Sequence, residues 1–266
     1  MINYFKFNFY FIVSILLMSC ASRKSVVFIN SPSIERSQKE ALLILPGFGS
    51  QIFGTTKMKE YFTKKGYDVY IPNYIGRKSI DQCLATLEKF IQKNKLAEYK
   101  KVNVFSYMLG AWTLNKYISL HPNNNIASIV YDRGPVQERV SKAMTKDIPF
   151  LIRIAAGKIL WDFKNTPYPS LTKGNIKVGI MIECKASKLA RKHKKTILTY
   201  GPFDWDVKQL KQEYDDYLYT WVNHDEMYSR FDIFGDELLH FFNNGKFTDK
   251  ALKEPLAGDP FEIYKE

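Results

Sequence analysis

The stretch Val102-Asn103-Val104-Phe105-Ser106-Tyr107-Met108-Leu109-Gly110-Ala111 decides how the rest of this chain reads. Val102 to Phe105 is rich in β-branched and aromatic residues and predicts a buried strand, and Ala111 to Leu120 continues at helical spacing. The two periods meet across Ser106 to Gly110, so a strand feeds a helix with almost no loop between them. Met108 sits in the middle of that turn.

Working outward, the same alternation repeats on both sides. Ala41-Leu42-Leu43-Ile44-Leu45 is a continuous apolar run, as in a strand buried on both faces, and Pro46-Gly47-Phe48-Gly49-Ser50 marks a tight loop after it. Thr55 to Lys65 predicts a helix stopped by Gly66, and Tyr67 to Ile71 a second strand. Ser79 opens an amphipathic helix to Asn94, with Ile80, Cys83, Leu84, Leu87, Phe90 and Ile91 on one face. Downstream, Ile126 to Tyr131 reads as a strand ending in Asp132-Arg133-Gly134-Pro135. Ile176 to Ile182 and Tyr217 to Val222 read as two more strands, and Phe231 to Phe242 as a closing helix. Strands and helices alternating at this spacing imply βαβ crossovers and a parallel sheet, an α/β class. The strand pattern lapses from Val136 to about Lys173. There Ile148 to Phe163 reads as an apolar helix, with Asp147 as N-cap and Pro149 in the first turn. An insertion over about 136–173 suits a helical lid or cap.

Four local patterns, in one order, resemble the lipase and esterase branch of the α/β-hydrolases. Leu45-Pro46-Gly47-Phe48-Gly49-Ser50 is similar to the His-Gly-x-Gly loop of that family, with Pro46 in place of the histidine. The resemblance implies that the backbone N–H groups of Phe48 and Leu109 take the oxyanion-hole positions. Gly66-Tyr67-Asp68-Val69 with Asn73-Tyr74 resembles the strand and loop that follow in bacterial lipases. The opening stretch matches the nucleophile elbow, small-x-Ser-x-small, whose turn is too sharp for bulky flanks. Ser106 and Gly110 are the small flanks, and the nucleophile position is Met108. A thioether has no ionisable proton and forms no acyl-enzyme. Finally, Gly201-Pro202-Phe203-Asp204-Trp205-Asp206-Val207 is similar to the loop of the catalytic acid, and Asn223-His224-Asp225 to that of the catalytic histidine. The implied acid is Asp204, with Asp206 and Asp132 as competitors, and the implied histidine is His224. Ser106 is expected beneath the turn, too deep to attack a carbonyl. His121, His193 and His240 are read as surface or capping residues.

The N-terminus carries a different signal. Phe11 to Met18 is an apolar run short for a membrane span but suited to an export signal, and Leu17-Met18-Ser19-Cys20 resembles a bacterial lipobox. The resemblance implies cleavage after residue 19, lipidation of Cys20 and a membrane-anchored lipoprotein of the bacterial cell envelope. Ala21 after Cys20 points to the outer rather than the inner membrane. Residues 20–39 are read as a tether, 40–250 as the folded domain and 251–266 as a C-terminal tail.

Hydrophobic content of 45% and charged content of 25% are ordinary for a globular domain, and exclude a disordered chain or a multi-span membrane protein. The net charge of +12 suits anionic lipid; export argues against nucleic acid. The densest basic stretch, Lys185 to Lys195, is read as a solvated face. Cys83 and Cys184 are expected as buried free thiols, and no Cys/His metal spacing or cofactor motif is present. The expectation is thus an α/β-hydrolase-fold lipoprotein that has lost its nucleophile at Met108 and binds an acyl or lipid-like ligand or an envelope partner. The alternative is an active esterase, lipase or thioesterase, using an unconventional nucleophile or a water activated by His224.

Overall fold

The computed structural model describes residues 24–48, 52–133, 139–201, 206, 207, 210 and 212–262. Seven strands form one sheet: β1 (Val26–Phe28), β2 (Glu40–Leu45), β3 (Asp68–Ile71), β4 (Lys101–Tyr107), β5 (Ile126–Asp132), β6 (Lys177–Lys185) and β7 (Asp216–Asn223). Their spatial order is β1-β3-β2-β4-β5-β6-β7. All neighbours are parallel except β1, which runs antiparallel to β3. This is the α/β architecture expected, a mostly parallel sheet flanked by helices.

The apolar runs are continuous because both faces of the sheet are covered. Along β2, Ala41, Leu43 and Leu45 join one core layer while Leu42 and Ile44 join the other. On the first face lie α2 (Ile80–Lys93), through Cys83 and Leu87, and α3 (Met108–Leu120), through Leu109 and Trp112. On the second lie α1 (Ile52–Lys64), through Met58 and Phe62, and α9 (Phe231–Asn244), through Phe234, Leu238 and Phe241. Ser79 caps α2 as expected, its hydroxyl accepting the Gln82 N–H at 3.2 Å.

The cap between β5 and β6 holds three helices, α4 (Val140–Asp147), α5 (Pro149–Ala156) and α6 (Ile159–Asn165). The single helix expected over 148–163 is broken at Gly157, whose φ of +71° lets its backbone meet the Arg77 carbonyl. Asp147 is not an N-cap; its carboxylate instead receives His193 Nδ1 at 2.6 Å and the Thr196 hydroxyl at 2.9 Å. His193 is a capping residue as expected, ending α7 (Lys188–Lys192) and opening α8 (Lys194–Leu198), but it is buried rather than on the surface. His121 and His240 are peripheral as expected, paired with Glu88 and with the Lys246 carbonyl.

The reading of residues 20–39 as tether needs correction over its described part. Val26–Phe28 adds an edge strand to β3, and the wholly buried Asp68 ties the segment down. Its Oδ1 accepts the Asn30 N–H at 2.7 Å, and its Oδ2 meets Lys39 Nζ at 2.8 Å and accepts the Tyr99 hydroxyl at 2.6 Å. A buried carboxylate needs that many partners, and a chain segment recruited to supply them is no longer a linker. Cys83 and Cys184 are both buried and free. Among the described residues no helix is long and apolar enough to cross a membrane.

Candidate functional site

The parallel strands end at one level, which gathers their last residues into a single cluster. Tyr107 pairs with Asp132, Asp132 with Met181, and Lys185 with Asn223. Side chains alternate along a strand, so Tyr107, Asp132 and Glu183 fall on the face that α1 and α9 cover. His224 directly follows β7. Its Nδ1 hydrogen-bonds Oε1 of Glu183 at 2.9 Å and lies 3.6 Å from Oδ2 of Asp132. Both carboxylates are wholly buried.

Arg133 completes the cluster. Its buried guanidinium pairs through Nε with Glu183 Oε2 and donates through one terminal nitrogen to the Glu183 carbonyl at 3.2 Å. Arg133 has φ +54°, a left-handed conformation that costs an L-residue roughly 1–2 kcal/mol and is held only when its surroundings demand it. The Arg133 N–H donates to the Met181 carbonyl at 3.0 Å, which fixes that turn.

Charge balance governs protonation here. Glu183 pairs with Arg133, and both Asp132 and Glu183 face His224 Nδ1. Burial favours a neutral imidazole, but the Tyr228 hydroxyl, Glu183 and Asp132 outweigh it and hold the His224 pKa well above the usual imidazole value. Burial pushes the Glu183 carboxyl up, against the opposing pull of Arg133 and with Asp132 adding to the rise, to about 8. His224 and Glu183 therefore both keep their protons to higher pH than they would in water. The atoms of Asp132, Glu183 and His224 lie within 4.8 Å of one another, close enough to hold a metal ion. Such an ion would have to displace the His224 proton and sit beside the Arg133 guanidinium. The set is therefore better suited to holding a proton than a metal.

On the other side of the histidine, the Tyr228 hydroxyl lies 3.5 Å from Nε2 and accepts the Gly47 N–H. Burial raises the Tyr228 phenol to about 12, so it stays protonated at neutral pH. The Tyr228 ring stacks on Tyr107 at 4.4 Å, and the Tyr107 hydroxyl donates to the Met227 carbonyl at 2.7 Å. Gly47 is required at this spot: a Cβ there would lie 2.9 Å from the Tyr228 hydroxyl and 3.3 Å from Tyr107 Cβ.

Met108 is the first residue of α3, directly after β4, and is half-buried against the core. The turn is as tight as the sequence implies, since a Cβ on Gly110 would lie 2.5 Å from Ser106 Oγ and 2.8 Å from Leu45 Cβ. Ser106 is wholly buried beneath it. Its backbone is relaxed, however. Tyr107 is an extended N-cap at φ −76°, and the described non-glycine residues with positive φ are Ser31, Lys95 and Arg133. Strain marks the nucleophile turn in active members of the fold; here it falls on Arg133. Leu109 is buried in the first turn of α3, and Phe48 packs half-buried on the core. Asp204 and Cys20 lie outside the described residues, and Asp206 is exposed.

The sequence reading did not include Glu183, Arg133 or Tyr228 among the site residues. Glu183 had a visible signal, an acid closing the apolar run Val178 to Ile182 where a buried strand has no use for one. Tyr228, four residues after His224, had none.

No protein-family model and no curated protein sequence matches the chain. Solved structures do. One of two metagenome-derived lipolytic enzymes, LipS and LipT, is similar at TM-score 0.52 and 11% identity, over 85% of this chain and 98% of its own. A hypothetical protein of Pseudomonas aeruginosa is similar at TM-score 0.50 and 13% identity, over 84% of this chain and 93% of its own. At such identities the likeness concerns architecture alone, and with the sheet order and the strand-to-helix turn it establishes that this chain has the α/β-hydrolase fold.

Proposed function

We propose that this protein is a lipid-anchored envelope protein that retains the hydrolase architecture and binds an acyl or lipid-like ligand without covalent catalysis. One observation carries the reading: the residue at the strand-to-helix turn is Met108, in relaxed helical backbone, where the fold's chemistry needs an activated hydroxyl. The surroundings agree with it. A histidine whose pKa is raised by its Tyr228, Glu183 and Asp132 neighbours is a poor proton acceptor at neutral pH, and the hydroxyl beside its Nε2 is a phenol kept protonated by burial. Water activation by His224 is disfavoured on the same ground. The lipid anchor rests on the Leu17-Met18-Ser19-Cys20 sequence.

A fluorophosphonate probe tests the catalytic half of this reading. The wild-type protein is expected to remain unlabelled at neutral pH; labelling that disappears in Ser106→Ala would restore the serine-hydrolase alternative. Metabolic labelling with an alkyne fatty acid, lost on Cys20→Ser, tests the anchor.

A further inference from the structure

The cap carries an outward face that the site chemistry does not use. Phe150 is 73% exposed and Ile154 is 37% exposed, one turn apart on α5, with the exposed Arg153 between them and Lys158 just beyond. Lys146 and Lys195 are exposed on the adjoining α4 and α8, and Lys142 and Lys146 approach the Tyr200 ring at 5.9 and 5.7 Å. Residues 140–165 contain five basic side chains and only two acids, Asp147 and Asp162. Asp147 is exposed but its carboxylate is engaged by His193 and Thr196, and the half-buried Asp162 accepts the N–H of Ile80. What faces outward is therefore apolar at the centre and cationic around it, the composition that suits the headgroup boundary of an anionic bilayer.

A second, independent observation fixes the direction of that face. β1 is antiparallel to β3, and Val26 pairs with Ile71, the last residue of β3. The Asn73 N–H donates to Ser25 Oγ at 2.9 Å. The chain therefore enters the fold at the C-terminal end of the parallel strands, the end that carries His224 and the cap. The cap is latched to the same loop: Arg77 donates to the carbonyls of Ile154 and Ala155 at 2.7 and 2.8 Å, and its own carbonyl accepts the Lys158 N–H at 2.7 Å. The entry of the described chain at residue 24 and the apolar turn of α5 thus lie at the same end of the molecule.

We infer that the cap face formed by Phe150, Ile154, Arg153 and Lys158 docks on an anionic phospholipid surface, so that the site end of the sheet faces the membrane from which the chain is tethered. An amphipathic face of this kind sits roughly 5–10 Å into the headgroup and acyl boundary. Docking needs no lipid on Cys20, and it does not depend on whether the site binds a ligand.

The test places an environment-sensitive fluorophore on the full chain at Phe150→Cys, with Leu120→Cys as control. Cys83 and Cys184 are buried, so labelling is directed to the introduced thiol and, where it is free, Cys20, which the Cys20→Ser background removes. Leu120 is 62% exposed and apolar too, but it ends α3 at the opposite end of the strands. On vesicles of equal parts phosphatidylglycerol and phosphatidylcholine, the label at 150 is expected to shift to the blue, brighten severalfold and be quenched by nitroxide-bearing lipid. The label at 120 should stay in water. The shift at 150 should be lost in Arg153→Glu/Lys158→Glu and reduced on pure phosphatidylcholine. The same outcome in a Cys20→Ser background shows docking without the anchor. A label at 150 as water-exposed as that at 120, on a chain retained by the vesicles, overturns the docking and leaves the anchor standing. A shift at 150 indifferent to charge reversal and to lipid charge also overturns it, as does a chain that the anionic vesicles fail to retain.

Discussion

His224 Nδ1 and Glu183 Oε1 lie 2.9 Å apart, joining the end of β7 to the end of β6. This hydrogen bond, rather than any contact at the elbow, organises the site. It brings a second carboxylate, Asp132, to 3.6 Å from the same nitrogen and gives Arg133 a buried partner.

The pairing makes stability depend on pH in one direction. Glu183 and His224 both have folded-state pKa values raised above their unfolded ones, near 4.3 and 6.5 respectively. Each contributes stability that is full below its unfolded pKa and lost as pH climbs through the folded value. Urea unfolding should therefore show stability falling as pH climbs from about 5 through about 8, with a shallower fall in His224→Gln. A profile that is flat or rises over that range contradicts the proton-holding cluster. Glu183→Ala, which removes the buried carboxylate paired with Arg133 Nε, should cost about 3–5 kcal/mol.

Met108→Ser restores a hydroxyl but not a base. While His224 is protonated it cannot take the serine proton, so phosphonate labelling of this variant should be negligible at neutral pH and grow as pH rises through the raised His224 pKa. Rates of labelling measured from neutral to alkaline pH check this. Full reactivity at neutral pH would mean that His224 is a free base.

The Gly47 contact with Tyr228 predicts a coupling. Gly47→Ala sets a methyl 2.9 Å from the Tyr228 hydroxyl and should destabilise by about 1–3 kcal/mol, as overpacking does. In a Tyr228→Phe background the cost should shrink by half or more. Additive costs in this double-mutant cycle would show that Tyr107 Cβ, not the phenol, sets the limit.

Asp68 predicts the order of the N-terminal strand. Asp68→Ala removes the buried carboxylate shared by Lys39, the Asn30 N–H and the Tyr99 hydroxyl, and should cost about 3–5 kcal/mol. Limited proteolysis should then cut first between residues 24 and 39. Unchanged protection would show that β1 pairing alone holds the segment.

The elements of the fold were legible because each rests on local chemistry. The run Ala41 to Leu45 has no exposed face to pattern, Ser79 has a capping oxygen three residues before a free N–H, and Gly110 permits a turn that any Cβ would block. His224 was legible too, since it follows a strand in the expected order. Segment 24–39 misled because the serines around Val26–Phe28 look like turns. The partners that make it a strand, Asp68 and Ile71, lie 38 or more residues away from Asn30 and 45 from Val26.

The turn at residues 106–110 was thus determined by sequence alone. A strand that becomes a helix within five residues, with small flanks on either side, admits one backbone course, and it places a methionine at the tip. What only the tertiary structure decided is the company His224 keeps. Asp132, Arg133, Glu183 and Tyr228 come from the ends of β5 and β6 and the loop after β7, and sequence spacing carries no information about which of them meet. Their proximity follows from strand register, which side-chain packing across the whole sheet sets, and their protonation follows from burial, which exists only once the chain has folded.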